Sequence, residues 1–159
     1  MKRIIAAAVA LLIVAPAAHA AEPSRLALDI STVSYHTEAW ARRELNQNNP
    51  GLGVEYQIDP DWSGLAGFYR NSYRRESAYA LAAWTPLHLA LPFGMHADAG
   101  IAAGLVTGYR RNEVPTAPLA AGAVLRVRTR TGYGINLLAV PNTTSGSGFI
   151  GLQAVVPIN

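Results

Sequence analysis

Hydrophobic and polar positions in this chain alternate in short runs of strand length. Eight can be marked: Leu26–His36, Leu52–Ile58, Trp62–Arg70, Ala78–Thr85, Met95–Thr107, Pro118–Val127, Tyr133–Val140 and Gly148–Val156. The period of two that marks a half-buried strand is clearest in Gly53-Val54-Glu55-Tyr56-Gln57-Ile58. There Glu55 and Gln57 share one face, and Val54, Tyr56 and Ile58 share the other. Alternation fades in Ala78–Thr85 and Ile101–Thr107, where both faces read apolar. A water-filled pore wants a polar inner face, so these runs predict a narrow, dry lumen lined by Ala, Gly, Leu and Val. Most runs are close to the length a tilted strand needs to cross a bilayer. After the N-terminal leader none is long enough for a transmembrane helix.

The connections fall into two sets. Asp59-Pro60-Asp61 and Arg128–Gly132 are tight turns, and Pro86–Gly94 is somewhat longer. Thr37–Pro50, Asn71–Ser77, Gly108–Ala117 and Pro141–Ser147 are longer or more polar. An even number of strands puts both termini on one side, with short turns toward the periplasm and long loops outside. The aromatic residues then sort into two interfacial belts. Tyr35, Trp40, Tyr69, Tyr73, Tyr79 and Tyr109 fall near the outer strand ends, and Tyr56, Trp62, Trp84 and Tyr133 near the inner ends. The predicted fold is all-β: an eight-stranded antiparallel transmembrane β-barrel, one domain over residues 21–159.

Residues 1–20 supply the export signal such a barrel needs. Lys2 and Arg3 precede an apolar stretch from Ile4 to Pro16, and Ala18-His19-Ala20 is a small-x-small cleavage site. The expected location is the outer membrane. Half the residues are hydrophobic and 14% are charged. The net charge of +3 includes Lys2 and Arg3, so the exported part is nearly neutral and nucleic acid is not an expected partner. Cysteine is absent, which excludes disulfides, a thiol nucleophile and thiolate metal sites.

Topology brings three polar residues together. His36 ends the first run at the outer rim, and Asn71 and Ser72 lie at the next outward tip, two strands along. At the spacing of neighbouring strands that is side-chain reach. A Ser beside a His can be a nucleophile with its base, or a hydroxyl held for transition-state stabilisation. The plainer reading is a pair of turn residues beside a surface histidine. His88 and His96 lack clustered partners, so neither a metal nor a cofactor is expected. Arg42, Arg43, Arg70, Arg74, Arg75, Arg110 and Arg111 all fall in or beside the outward loops. Guanidinium there suits phosphorylated lipid, while Glu38, Glu44, Glu76 and Glu113 allow a merely solvated face.

From Ser34 onward the chain resembles the lipid A palmitoyltransferase (PagP) family of outer-membrane acyltransferases. The resemblance is carried by Tyr35-His36, Asn49-Pro50-Gly51-Leu52-Gly53, Trp62-Ser63-Gly64-Leu65 with Phe68–Tyr73, Trp84-Thr85-Pro86-Leu87, Ala103–Thr107, Pro115–Leu119 and Leu138–Asn142, in order. It implies transfer of an acyl chain from a phospholipid donor to lipid A by a monomer without a cofactor, with His36, Asn71 and Ser72 in the catalytic positions. It also implies sideways lipid entry where Pro118 and Pro141 interrupt the strand ladder, the plainer reading being that both merely mark strand ends. A non-enzymatic barrel of the same ancestry, binding lipid or acting structurally, is the alternative. The chain departs from the family at Asn71, where the family has Asp, and in lacking an N-terminal amphipathic helix and a terminal aromatic. An amide oxygen can orient the imidazole but cannot stabilise its charge, so Asn71→Asp is expected to raise the rate. Glu38 and Glu76 are the candidate replacement carboxylates. A lipid A deacylase fits poorly, since none of His36, His88 and His96 has Ser two residues on.

Overall fold

A computed structural model describes residues 24–143 and 146–158. The predicted leader, residues 1–20, lies outside them. Eight strands close into one antiparallel barrel in chain order: β1 (Leu26–His36), β2 (Asn48–Gln57), β3 (Trp62–Arg70), β4 (Glu76–Ala90), β5 (His96–Val106), β6 (Leu119–Arg128), β7 (Gly134–Val140) and β8 (Phe149–Pro157). The ring closes through β8 on β1, from Ala27 opposite Pro157 to His36 opposite Phe149. The strand count and the antiparallel order are as expected, and the bounds of the first and third runs agree to the residue.

Two elements differ from expectation. Pro86 does not open a loop. β4 runs on to Ala90, because Pro86 falls where the β4–β5 register shifts between Trp84 and Leu87 and no ladder donor is needed. Pro50 sits in a similar shift, between Ser31/Gly51 and Val33/Asn48. The true connection is a 3₁₀ turn over Pro92–Gly94, in which Phe93 takes a left-handed φ of 60°. The first outward loop contains a helical turn, α1 (Ala39–Glu44), which is too short to show a helical period.

The residue distribution is inverted relative to a protein built for water. Among the described residues fourteen polar or charged residues are buried against seven hydrophobic ones, and twenty large hydrophobic residues are exposed. Parity explains the inversion. Leu52, Val54 and Tyr56 face out from β2 while Asn49, Gly53 and Glu55 face in, and β6 presents Leu119 and Leu125 outward over Val124, Arg126 and Arg128 inward. Tyr56, Trp62, Trp84 and Tyr133 are exposed near the short-turn end, and Trp62 stacks on Trp84 at 6.2 Å. The other belt does not form as expected. Tyr35 and Trp40 face out, but Tyr69, Tyr79 and Tyr109 line the lumen, since they have inward parity or come from a loop folded over it.

The lumen has two storeys, which corrects the expectation of a uniformly dry interior. The long-loop half is apolar, packed around Leu65, Tyr79, Ala83, Ala102 and Val124. The short-turn half is a charged plug. Arg126 donates to Glu55 (3.2 Å), Gln57 (2.8 Å), Ser63 (3.1 Å) and Thr85 (2.7 Å), and its Nη2 lies 3.5 Å from Asp98. Arg128 donates to both Glu55 oxygens (3.3 and 3.1 Å) and to Asn136 (2.7 Å), and Asn136 donates in turn to Glu55 (2.9 Å). Asp98 is further bonded to His88 at 2.8 Å, and His88 reaches Asp61 at 2.9 Å. Buried charges survive only when paired and hydrogen-bonded, and the plug meets that condition except at Asp29 and at Arg126 Nε, which has no partner among the described residues. Asp29 is fully buried, and neither of its carboxylate oxygens has a partner among the described residues.

Candidate functional site

The apolar storey holds a cavity of about 100 Å³. Its walls include Leu65, Leu81, Ala83, Ala102, Val124 and Leu138, its plug side Arg126, Asn136 and Gln153, and its long-loop side Asn49, Tyr69, Ser72, Tyr109 and Phe149. Tyr79 crosses it. The Tyr79 hydroxyl rests over Gly53 and Gly67, where any Cβ would collide with it, and accepts a hydrogen bond from Gln153 at 3.2 Å.

A second cavity of about 500 Å³ adjoins it through the wall between β6 and β7. β7 stops at Val140 before Pro141, and β6–β7 pairing ends at Ala123 opposite Ala139. Leu119–Gly122 remain paired to β5 alone. The cavity is lined on this break by Leu119, Ala120, Ala121, Gly122, Val140 and Pro141, and it shares Tyr69, Tyr109 and Phe149 with the lumen cavity. Pro118 lies at the head of β6, where its carbonyl accepts from Val106 N–H at 2.8 Å.

The three residues singled out from the sequence all lie at the long-loop rim and all are buried: His36 at 1% exposure, Asn71 at 0% and Ser72 at 6%. A polar seam stitches β1, β2 and β3 beneath them. Ser34 Oγ donates to Asn49 (2.7 Å), Asn49 donates to the Arg70 carbonyl (2.9 Å), and Asn46 N–H donates to the Ser72 carbonyl (2.8 Å). His36 packs its ring 5.9 Å from that of Phe149, and Arg42 donates to the His36 and Thr37 carbonyls at 2.8 and 2.6 Å. Nδ1 of His36 is buried without a partner among the described residues.

Asn71 does not orient His36. Its Oδ1 accepts from the backbone N–H of Tyr73 (2.9 Å) and Arg75 (3.1 Å), and its Nδ2 donates to Ser77 Oγ and the Gly108 carbonyl, both at 3.0 Å. Gly108, at φ 82°, carries that carbonyl in a left-handed turn packed against Glu76 and Ser77. An Asx turn of this kind is what Asn does well in a tight loop, and it uses the whole amide.

Two of the outward arginines are also spoken for. Arg42 holds the β1–α1 corner and stacks over Tyr35 at 5.2 Å. Arg75 donates to Gly108 (2.8 Å) and grips Glu113 with both Nη atoms. Burial works against ionisation of Glu113, but hydrogen bonds from Arg75 and from Arg110 N–H outweigh it and hold the carboxyl below its usual range.

Sequence reasoning missed the tyrosine pair. Tyr69 Oη and Tyr109 Oη lie 3.0 Å apart, and Tyr73 packs edge-on against Tyr109 at 6.1 Å. It missed the plug arginines too. Their signal was present as the i, i+2 spacing of Arg126 and Arg128 opposite the Glu55/Gln57 face.

No protein-family model matches the chain. No curated protein matches it either.

Proposed function

We propose that this chain spans an outer membrane and moves an acyl chain from a phospholipid to a lipid A-type acceptor, the activity its resemblance to the PagP family implies. One observation carries the reading: an apolar cavity closed below by a charged plug is continuous with a break in the wall beside it. Such a space takes in a greasy chain from the side and gives it nowhere further to go. The outward leucines, tryptophans and tyrosines support insertion, since an apolar surface of that extent is not kept in water. In this reading His36, which is 1% exposed and lines neither cavity, turns toward the rim to accept the proton of the acceptor hydroxyl, and Ser72 lies at the mouth of the acyl site. Arg70, Arg74, Arg110 and Arg111 belong to the long loops or their edges, where lipid phosphates would meet them.

A lipid-binding barrel without chemistry is the second reading. It is favoured by the amide of Asn71, which is wholly used in its loop and leaves His36 without an orienting partner among the described residues.

Mass spectrometry of lipid A from cells with and without the gene separates the two. Transfer adds one acyl chain that His36→Ala removes. An unchanged pattern, with purified protein still holding phospholipid, favours the binding barrel. Ala120→Trp, which fills the break from within the wall, should block lipid entry under either reading.

A further inference from the structure

Of the residues that line both cavities, only Tyr69 and Tyr109 carry a polar side-chain group, and the roles above do not employ it. Tyr69 stands at the outer end of β3, and Tyr109 descends from the β5–β6 loop. Their hydroxyls are 3.0 Å apart, and both rings line both cavities. We propose that the Tyr69–Tyr109 hydroxyl pair binds the ester carbonyl of the lipid whose acyl chain occupies the lumen, and that it stabilises the oxyanion when that ester is attacked. The proposal rests on the acyl-transfer reading for its second half only.

Proton counting supports it. Two hydroxyls in one mutual hydrogen bond use one proton, so one O–H remains to donate to a third group. Apart from Ser77 Oγ, which neighbours the Tyr69 hydroxyl and already accepts from Asn71, the third group must sit where lumen and break meet. For a diacyl lipid entering sideways with one chain in the lumen, that is where the ester linkage comes to lie. The donor also stays protonated. Burial, with Tyr69 beside it, pushes the Tyr109 phenol far above its ordinary range.

The surrounding bonds hold the pair in place. Tyr69 lies opposite Ser77 across the β3–β4 ladder, and Gly108 immediately precedes Tyr109. Asn71 Nδ2 donates to both Ser77 Oγ and the Gly108 carbonyl. Asn71 is therefore a positioning residue for the two phenols, which gives its committed amide a place in the site.

The step balances without a further reagent. The acceptor hydroxyl oxygen forms a bond to the carbonyl carbon, and its proton passes to His36. The carbonyl π pair moves onto oxygen, where the phenol O–H meets it. Collapse re-forms the carbonyl, breaks the bond to the glycerol oxygen, and the proton returns from His36 to that oxygen as the lysophospholipid leaves. Preorganised donors of this kind, tyrosine included, contribute about 10²–10³ each to kcat.

The test uses the full barrel in detergent micelles with phosphatidylcholine carrying ¹³C at its ester carbonyls. Isotope-edited infrared spectra should show a bound carbonyl band at lower wavenumber than free lipid. Tyr69→Phe/Tyr109→Phe should return it to the free position, and each single variant should leave it in between. Tyr73→Phe, which touches Tyr109 but lines neither cavity, should leave the band unmoved. Heat-modifiable gel mobility establishes that each variant is folded. In transfer assays the double variant should lose about 10²–10³ in kcat with KM little changed. A bound carbonyl that is unshifted in the wild type, or a folded double variant with undiminished kcat, overturns the proposal. A shifted band without transfer refutes the acyl-transfer reading and leaves the carbonyl site standing.

Discussion

Glu55 is the residue on which the plug depends most, and Glu55→Gln tests whether ion pairing or mere space-filling holds it together. The carboxylate is 4% exposed and accepts from Arg126, Arg128 and Asn136. Glutamine keeps the volume but removes the charge, and it turns one acceptor into a donor facing other donors. Arg126 keeps Asp98 at 3.5 Å, but Arg128 is left with neutral acceptors only: Asn136 and the Ile135 and Val127 carbonyls. Removing one partner of a buried pair costs about 3–5 kcal/mol. Because Asp98 still partly neutralises Arg126, the lower end applies. About 3 kcal/mol is roughly two decades in the ratio of folded to unfolded protein. The assay is reversible urea unfolding in phospholipid vesicles, followed by the emission of Trp62 and Trp84. Glu55→Leu/Arg128→Leu removes both members and should cost less than Glu55→Gln alone, since exchanging a whole buried pair for apolar groups is often near neutral. If Glu55→Gln lies within about 1 kcal/mol of wild type, or the double variant is the worse of the two, pairing is not what stabilises the plug.

Asp29→Asn should leave the urea midpoint unchanged or raise it, because burial without a hydrogen bond among the described residues, with Glu55 repelling it, outweighs the attraction of Arg126 and Arg128; a clear drop would reveal a partner for Asp29. Gly53→Ala should destabilise the barrel by about 1–3 kcal/mol by driving its methyl into the Tyr79 hydroxyl, and Gly53→Ala/Tyr79→Phe should recover part of that loss, which additive costs in the same unfolding assay would rule out. Asn71→Asp should loosen its loop by about 1–3 kcal/mol and slow any transfer, the reverse of the expectation from sequence, because the second carboxylate oxygen would face the Gly108 carbonyl where Nδ2 now donates at 3.0 Å; a faster enzyme from initial rates would restore the triad reading. The Arg75–Glu113 tether between the two outward loops is lost with acid: the folded carboxyl sits below its ordinary range, so its stabilisation is complete above the usual carboxylate range and disappears as pH falls through the depressed value. Cleavage of the β5–β6 loop by a protease active from acid to neutral pH, taken relative to an unfolded reference peptide at each pH, should therefore accelerate at low pH in wild type, while Glu113→Gln is already fast near neutrality.

Strand number and order were readable because outward positions carry Leu, Val and aromatic residues at a period of two, and because Pro, Gly and Asp punctuate the turns. What failed was the assignment of faces where both looked apolar. Tyr79 is two residues from Ser77 and shares its inward parity, but alternating alanines between Ala78 and Ala83 hide the phase. Sorting aromatics by height along a strand says nothing about which side of the wall they occupy, and Tyr69 and Tyr79 were lost that way. The site was legible only as an address. His36, Asn71 and Ser72 do share the rim. The direction of the Asn71 amide depends on Gly108, thirty-seven residues later, and on a left-handed turn there that no local pattern announces.

The break in the wall has a cause that the chain states locally and the fold makes consequential. Pro141 has no N–H to continue the ladder, so β7 ends at Val140. β6 nevertheless begins at Leu119, well before its last partner on β7, because β5 pairs with it from Leu105 opposite Leu119 onward. Leu119–Gly122 are thus held from one side only. If the barrel spans a bilayer as proposed, each unpaired stretch forgoes hydrogen bonds that the lipid cannot replace, and lipid passage is the role that would justify that cost. The plug supplies the other half of the argument. With Arg126, Arg128, Glu55 and Asp98 filling the short-turn end, the apolar cavity cannot be a segment of a conduction path. The shortest route from a membrane to the lumen is then sideways, past Ala120 and Gly122, to the point where Tyr69 and Tyr109 meet.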